Sequence, residues 1–497
     1  MATTVAFYNV YDSIKITWTG GAEGGTSAFM NKKTVSFTLV NANEFYIKAG
    51  NISYLMRYSN VSAVAPSGHA NVNDLVTILE SWVSGAGDPS TSAEKDMMQR
   101  TRVVEPYTMF DGTFRDSLEV RKWNQLVAGG TTAISHEVNQ QAAILTLDDT
   151  NASSRAILQS KKYMLYQPGK QLNVHICAIA KTATCTNNEV YLGYFDDNAD
   201  KSGDSGGSGF YLKVDAADAL FLVHRNYTGG VQTDTTIAQT NWNIDKLDGT
   251  GVSAVTLDTQ KINNYIFEIG ADGGGSMRFG VMSDNHVYYA HIVDANNTLT
   301  DSVLRTCSLP IRVENVNTGV SDAASISKVF AASVTVDGGS QPVGFTNAVD
   351  EGVASTPPHI LKAVAESKPL VSIRLKAARC RTTVWPQYFQ VINARDASFI
   401  RCRVVLNGTL TAPSWTSAGS DSAVEYDKSA TAVVGGTTLH SVYMRTSDER
   451  IDLREVFDGV QMHADIAGVT LDTLTLVAEY ISSQADLYSS CGWIEYA

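Results

Sequence analysis

Hydrophobic and polar residues alternate along this chain in short runs, the pattern of β-strands that bury one face. Clusters of Gly, Asp and Asn, which favour turns, separate the runs. Between Ser160 and Asn317 seven such runs follow one another: SKKYMLYQPGK, EVYLGYFDDN, GFYLKVD, NWNIDKLDGTG, YIFEIGADGGGSMRFGVM, HVYYAHIV and SLPIRVEN. This stretch predicts one antiparallel β-sandwich.

A separate unit precedes the sandwich. In residues 1–84, the alternation of Ile14, Ile16 and Trp18 and the runs VSFTLV, EFYIKAG and NISYLMRY predict strands. A helix is predicted after them, because apolar residues recur at spacings of three and four and fall on one face: Val72, Leu75, Val76, Leu79 and Trp82. The unit is predicted to be a small α+β domain.

Composition divides the rest of the chain. Residues 85–108 are rich in small and charged residues and predict a linker, and residues 109–317 form the central sandwich. Residues 318–333 are predicted as a hinge, and 334–497 return to strand patterns. The predicted fold class is mainly β, with two antiparallel jelly-roll-like β-sandwich domains preceded by the small α+β domain.

Charge and cysteine content narrow the function. The net charge is −13 and no basic run occurs, so a nucleic-acid partner is not expected. No apolar run has the length of a membrane span, and no secretory signal is recognised. The six cysteines lack metal-ligand spacing and are expected to be buried thiols, so we predict neither a metal nor another cofactor.

The order of the runs beginning SKKYMLYQPGK (160–170), GYFDDN (193–198), NWNIDKLDGTG (241–251) and SLPIRVEN (308–315) resembles a segment of structural proteins of tailed phages and large DNA viruses. In those proteins the segment is a concanavalin-like jelly-roll module of fibres, spikes or capsid appendages. The resemblance covers roughly residues 105–318. Residues 1–84 and the runs after KPLVSIRLK also resemble modules of such proteins.

The resemblance implies a virion structural protein that is assembled in the host cytoplasm. We expect a tail fibre, spike or head fibre that binds the host surface without turnover, as a homo-oligomer for which a trimer is favoured. Its other partners would be tail, portal or capsid proteins and a host glycan or receptor. The alternatives are a capsid-associated or cementing protein and, third, a polysaccharide-degrading virion enzyme.

Aromatic side chains supply the candidate binding residues, because apolar sugar faces stack on rings while hydroxyls find polar neighbours. The candidate glycan contacts are Tyr194, Tyr211, Trp242 and Tyr289. Neighbouring strand positions point to opposite faces, so at least half of the aromatic side chains in these strands are expected in the core.

The loop after the second run carries two further patterns. Gly203–Gly207 has the letters GDSGG that surround a protease nucleophile, but the other protease motifs are missing, so we predict an ordinary loop. The same loop holds several oxygen-bearing side chains that suit either a solvated turn or a calcium site of non-EF type: Asp196, Asp197, Asn198, Asp200 and Asp204.

Glycoside hydrolysis needs two carboxyl groups about 5–10 Å apart, and the central stretch offers one candidate pair. Glu268 and Asp272 lie four residues apart on one face of a predicted strand, but glycines end that strand. The sequence therefore predicts no catalytic residues and no enzyme.

Overall fold

A computed structural model gives the architecture. It describes the six strands between residues 4 and 57, and residues 96–496 apart from 97–99, 103–104, 198–206, 229–230, 252, 271–273, 301, 340–342, 353–357, 365, 396–397, 446 and 454–460. The described part is almost entirely β, with antiparallel sheets in sandwich-like arrangements consistent with jelly-roll domains. The predicted fold class is confirmed.

The first six strands form two three-stranded antiparallel sheets, β1-β2-β3 and β4-β5-β6. They are β1 Thr4–Val10, β2 Ser13–Thr19, β3 Thr26–Asn31, β4 Val35–Asn41, β5 Glu44–Ala49 and β6 Ile52–Arg57. The predicted strands of this unit are therefore present. The predicted helix at 72–82 and most of the predicted linker lie outside the described residues.

Fifteen strands build the central domain. They are β7 Pro106–Thr113, β8 Trp123–Ala128, β9 Ala133–Glu137, β10 Ala142–Thr146, β11 Arg155–Ser160, β12 Leu172–Ile179, β13 Asn188–Phe195, β14 Gly209–Val214, β15 Leu220–Thr228, β16 Val231–Ala238, β17 Asn263–Ile269, β18 Ser276–Ser283, β19 His286–Asp294, β20 Ile311–Asn317 and β21 Ile326–Asp337. A 3-10 turn at Gln239–Asn241 follows β16.

These strands make two sheets. One has eight strands in the order β19-β18-β17-β12-β21-β10-β9, with β7 also paired to β21, and the other has seven in the order β16-β15-β14-β13-β20-β11-β8. Alternate residues of both sheets point into one shared apolar core, as in Val190, Leu192 and Tyr194 of β13. Phe267 of the first sheet meets Phe210 of the second edge to face, with ring centroids 5.8 Å apart.

The segment predicted as a hinge, 318–333, lies largely within the central domain. From Ile326 it is part of β21, a twelve-residue strand that pairs with β12, β10 and β7. Alternating residues of β21, such as Val334 and Val336, are buried in the central core. The small residues that suggested a hinge are sheet residues that pack closely, and the central domain continues to Asp337.

The C-terminal domain is a second sandwich with its own core. Its sheets are β22-β34-β25-β32 with β23 on β34, β28-β29-β24-β33-β26-β31, and the pair β27-β30. The strands are β22 Phe345–Asp350, β23 His359–Leu361, β24 Ser367–Leu375, β25 Thr383–Asn393, β26 Phe399–Leu406, β27 Thr409–Thr411, β28 Thr416–Ser417, β29 Val424–Asp427, β30 Ala432–Val434, β31 Thr437–Met444, β32 Ser447–Asp452, β33 Thr473–Ser482 and β34 Ala485–Tyr496. A 3-10 turn, Ala377–Arg379, joins β24 to β25.

All six cysteines are free thiols; five are buried and Cys177 is half-buried. In the part of the chain that the structure describes, no helix is long and apolar enough to cross a bilayer.

The role of Phe267 as a bridge between the two sheets gives a stability prediction. Phe267→Ala should lower the free energy of unfolding of the central domain by about 3–5 kcal/mol, because it removes a fully buried ring and leaves a cavity. Phe345→Ala is the matched control, since that ring is 75% exposed and its loss should change stability by less than about 0.5 kcal/mol. Urea denaturation followed by tryptophan fluorescence measures both; equal effects would contradict the shared core.

Candidate functional site

The outward face of the seven-stranded sheet carries a cleft of about 480 Å³. Its walls and floor come from strands that are distant in sequence, namely β11, β13, β14, β15, β16 and β20. Because side chains alternate along a strand, every inward core residue leaves its neighbour facing this cleft. The outward residues that define it are Arg155, Tyr191, Phe195, Asp197, Tyr211, Lys213, Arg225, Asp234 and Glu314.

Strand register sets the rows of the cleft. Tyr191 pairs with Glu314 on one side and with Lys213 on the other. One row along, Gly193 lies between Arg312 and Tyr211. A Cβ at Gly193 would come within 2.6 Å of the Tyr211 Cα, so a glycine is needed where these strands approach closely. Because Gly193 has no side chain, the cleft is deeper at the centre of the sheet.

Aromatic rings form that floor. The rings of Phe195 and Tyr211 lie 4.3 Å apart between centroids, and Tyr191 meets Tyr211 edge to face at 5.8 Å. The Arg225 guanidinium lies 5.3 Å from the Tyr211 ring centroid, within cation–π range. Tyr211 is only 2% exposed, whereas Tyr191 is half-buried, so Tyr191 is the ring that a ligand reaches first.

Arg225 and Asp234 form a two-point ion pair at one side of the cleft. Arg225 Nε and Nη2 each lie 2.9 Å from an Asp234 carboxylate oxygen. The Tyr211 hydroxyl donates to Asp234 at 3.1 Å and accepts from Arg225 at 3.0 Å. Asp197 adds a longer contact of 3.4 Å to Arg225. This planar pairing fixes both side chains.

Glu314 holds the opposite side. It is buried and accepts hydrogen bonds from Arg155 at 2.6 Å and from Arg312 at 2.7 Å. Burial alone would raise the pKa of Glu314, but the two guanidinium groups outweigh it, and the pKa lies below its ordinary value. Glu314 is therefore an ionised hydrogen-bond acceptor at neutral pH.

The tyrosine hydroxyls stay protonated. Burial raises the pKa of Tyr191, and a hydrogen bond to Glu189 raises it further; burial likewise raises the pKa of Tyr211. Lys213 pairs with the same Glu189 at 2.8 Å. The cleft thus joins ionised acceptors, cationic and phenolic donors, and an aromatic floor, the combination that holds a polyhydroxylated ring by hydrogen bonds and stacking.

Only one of the four predicted glycan contacts lies in this cleft, namely Tyr211. Tyr194 points into the core, where its hydroxyl donates to the Cys307 carbonyl at 2.7 Å. Trp242 also lies in the core, edge to face with Phe279 at 5.6 Å. Tyr289 is buried on the outward side of the other sheet. Tyr211 is itself only 2% exposed, so all four rings are nearly closed to a ligand in this structure.

Glu268, the predicted carboxylate of interest, belongs to a buried ion cluster beside Tyr289. It accepts hydrogen bonds from Arg102 at 2.7 Å, from the Tyr289 hydroxyl at 2.7 Å and from Arg278. Burial alone would raise the pKa of Glu268, but Arg278 and Arg102 outweigh it and the pKa lies below its ordinary value. Its place is structural, and Asp272 lies outside the described residues.

The two described aspartates of the acidic loop have different surroundings. Asp196 is buried, accepts from the Ser208 amide at 3.2 Å and pairs with Arg381 at 2.9 Å, while Asp197 faces Arg155 and Arg225. The other loop residues of interest, 198–206, lie outside the described part. Within the described residues no group of three or more His, Cys, Asp or Glu could hold a metal ion.

Sequence reasoning missed Arg155, Arg225 and Glu314. A signal for one of them was present in SLPIRVEN, where Arg312 and Glu314 alternate with Ile311 and Val313. Charged residues at every second position of a strand that is apolar in between indicate a charged outward face. Arg155 has no such signal, because its partner Glu314 lies 159 residues away, whereas Arg225 faces Asp234 nine residues on, across the hairpin of β15 and β16.

Comparisons with known proteins found no matching family model and no matching curated protein. Solved structures do match. A Bacillus licheniformis β-glucanase has 10% identity and TM-score 0.29, covering 45% of this chain and 96% of its own. A carbohydrate esterase of the Shiga toxin-encoding bacteriophage phi24B has 14% and 0.29, covering 47% and 100%. An endo-β-1,4-glucuronan lyase of Trichoderma reesei has 13% and 0.32, covering 46% and 95%.

The prediction that the chain is not an enzyme is contradicted by these neighbours, because a glucanase and a lyase are among them. At such identities and TM-scores the likeness assigns no activity to this chain. The jelly-roll class rests on the sheet topology described above.

The Glu268 cluster gives a prediction of pH-dependent stability. Glu268→Gln should lower the free energy of unfolding at pH 7 by about 3–5 kcal/mol, because Arg102 and Arg278 lose their buried counter-charge. The pKa of Glu268 is depressed on folding, so its stabilisation is present above the unfolded pKa and is lost as pH falls through the folded pKa. Urea denaturation from pH 7 to pH 3 measures the effect.

The difference between wild type and Glu268→Gln should therefore shrink below about pH 4.3, the ordinary glutamate pKa. Glu105→Gln is the control, since Glu105 is exposed and its change should matter by less than about 0.5 kcal/mol. A stability gap that stays constant down to pH 3 would show that the charge of Glu268 is not what the cluster needs.

Proposed function

We propose that this protein is a virion structural protein, a tail fibre, spike or head-fibre appendage, whose central domain binds a host-surface carbohydrate. The observation that carries the binding proposal is the cleft on the seven-stranded sheet, with its aromatic floor and fixed ion pairs. The virion assignment is supported by the resemblance of residues 105–318 to viral structural proteins.

The charge balance of the cleft favours a hydroxyl-rich ligand. Its charged lining consists of three basic side chains, Arg155, Lys213 and Arg225, and three carboxylates, Asp197, Asp234 and Glu314. The opposite charges offset each other, so the cleft has no net attraction for a polyanion or a polycation. Paired guanidinium and carboxylate groups can still donate hydrogen bonds to sugar hydroxyls, or accept them, on the side that faces the cleft.

The rigidity of the scaffold also supports recognition. The cleft residues lie on paired strands whose inner faces are packed in the core, so their positions are set before a ligand binds.

We also propose that the protein assembles in the host cytoplasm into a homo-oligomer, for which a trimer is favoured, and that it contacts tail, portal or capsid proteins. Residues 1–84 are the proposed attachment unit.

A glycan array probed with the purified full-length protein tests the binding proposal. Wild type should bind a subset of surface polysaccharides, and Tyr191→Ala should weaken that binding about tenfold or more, because it removes the accessible ring of the floor. Tyr443→Ala is the matched control on the C-terminal domain, where the ring is 60% exposed and outside the cleft.

Binding that is equal in wild type and Tyr191→Ala would contradict the cleft as the site. The same bound polysaccharide should be assayed for new reducing ends, and release that Tyr191→Ala abolishes would place turnover in this cleft as well. Antibody labelling of particles in electron micrographs tests the virion assignment: label on a tail, vertex or head fibre supports it, and unlabelled particles would overturn it.

A further inference from the structure

A second cleft, of about 530 Å³, lies between the two sandwiches. The central domain contributes the segments around Leu165–Pro168 and Arg305–Ser308, and the C-terminal domain contributes the segments around Ala378–Thr383 and Tyr496. Its volume falls within the range of small-ligand sites, which occur often at domain interfaces.

The charge of this cleft is one-sided. Its charged lining side chains are three arginines, Arg305, Arg379 and Arg381, and no Asp or Glu belongs to the described lining. The whole chain carries a net charge of −13, so a concentration of guanidinium groups is unusual in it. Arginines from both domains converge here on a shared space.

Buried hydrogen bonds and an ion pair fix the segments that carry the arginines. Arg381 pairs with the buried Asp196 at 2.9 Å, and the Tyr163 hydroxyl donates to the same carboxylate at 3.2 Å. The Tyr194 hydroxyl donates to the Cys307 carbonyl at 2.7 Å and accepts from the Leu309 amide at 3.1 Å, which fixes the segment that follows Arg305. Asp196 offsets one of the three positive charges.

Two arginines face the cleft from exposed positions, Arg305 on the central domain and Arg379 on the C-terminal domain. Arg379 donates to the Asp421 carbonyl through Nη1, and a guanidinium carries five N–H donors. Such groups bind carboxylate, phosphate and sulfate oxygens with two parallel hydrogen bonds.

Rings and hydroxyls complete the lining. Tyr166 and Tyr496 present aromatic surface, and Tyr496 is steadied by an edge-to-face contact with Trp385 at 5.1 Å. Thr306, Ser308 and Thr382 add hydroxyl groups. Aromatic surface beside hydroxyls suits a sugar ring, whereas the arginines suit an oxyanion.

We infer that this interdomain cleft is a second ligand site that binds an anionic saccharide unit, one that carries a carboxylate or phosphate group. The site is separate from the cleft of the seven-stranded sheet, whose charges cancel. Since both domains supply arginines, ligand binding would also hold the two sandwiches together.

Titration calorimetry of the full-length protein with four small probes tests this site. Glucuronate and glucose 6-phosphate carry both a sugar ring and an anion, glucose carries only the ring, and acetate carries only the anion. At least one of the first two should bind about tenfold more tightly than glucose and acetate, and the better of them identifies the preferred anion. Equal binding of all four, or no binding, would overturn the inference.

Variants locate the binding. Arg305→Gln and Arg379→Gln should each weaken the anionic sugar about tenfold, and both residues are exposed, so the fold should survive. The matched controls, Arg115→Gln and Arg445→Gln, change exposed arginines outside the cleft and should leave binding unchanged. Equal losses in controls and cleft variants would show non-specific charge attraction and overturn the site.

Tyr191→Ala separates this inference from the proposed function. It should leave binding of the anionic sugar at the wild-type level, because Tyr191 lies in the other cleft. If Tyr191→Ala alone abolished the binding of glucuronate or glucose 6-phosphate, the anion site between the domains would be refuted while the first cleft would stand.

Discussion

The core shared by the two central sheets determines which side chains of each strand point inward and which point outward. Inward positions such as Leu192 and Phe267 are buried completely, so the residues between them must face outward. A slip of one residue in β13 would exchange Tyr191 with Leu192 and destroy both the core and the cleft. The shape of the cleft is therefore a consequence of how the core packs.

Because of that constraint, charged side chains on the outward face of the seven-stranded sheet lose much of their contact with water. Its central strands are covered on the inner side by the core, and the outward Glu314 and Arg312 are themselves nearly buried. Charges in such a place are tolerated only when each is paired. Glu314 pairs with Arg155 and Arg312, and Arg225 pairs with Asp234. These paired charges are the groups that the proposed recognition of a carbohydrate would use.

The two clefts differ in how they treat charge. On the seven-stranded sheet, acids and bases alternate and cancel, whereas between the sandwiches arginines gather with a single buried aspartate, Asp196, behind them. Asp196 also links the clefts, because its backbone carbonyl accepts from Arg225 at 3.0 Å while its carboxylate holds Arg381. One short segment thus supports the walls of both.

The sequence was sufficient to predict the strands and the fold class, since alternation and turn residues are local signals. It could not place the site. Tyr191 and Tyr194 lie three residues apart on β13 and so point to opposite faces, but the residue type, the same at both positions, does not decide which of them points outward. The ion pairs of Arg155 with Glu314 and Arg225 with Asp234 depend on sheet order and register. The predicted hinge failed for a related reason, because small residues such as Ala331 and Ser333 also suit the interior of a crowded sheet.

The most direct test of the central claim is a crystal structure of the full-length protein soaked with the oligosaccharide that it binds best. Sugar density is expected over Tyr191, with hydroxyls within hydrogen-bond distance of Asp234 or Arg155. Density at any other surface, with this cleft empty in the same crystal, would contradict it.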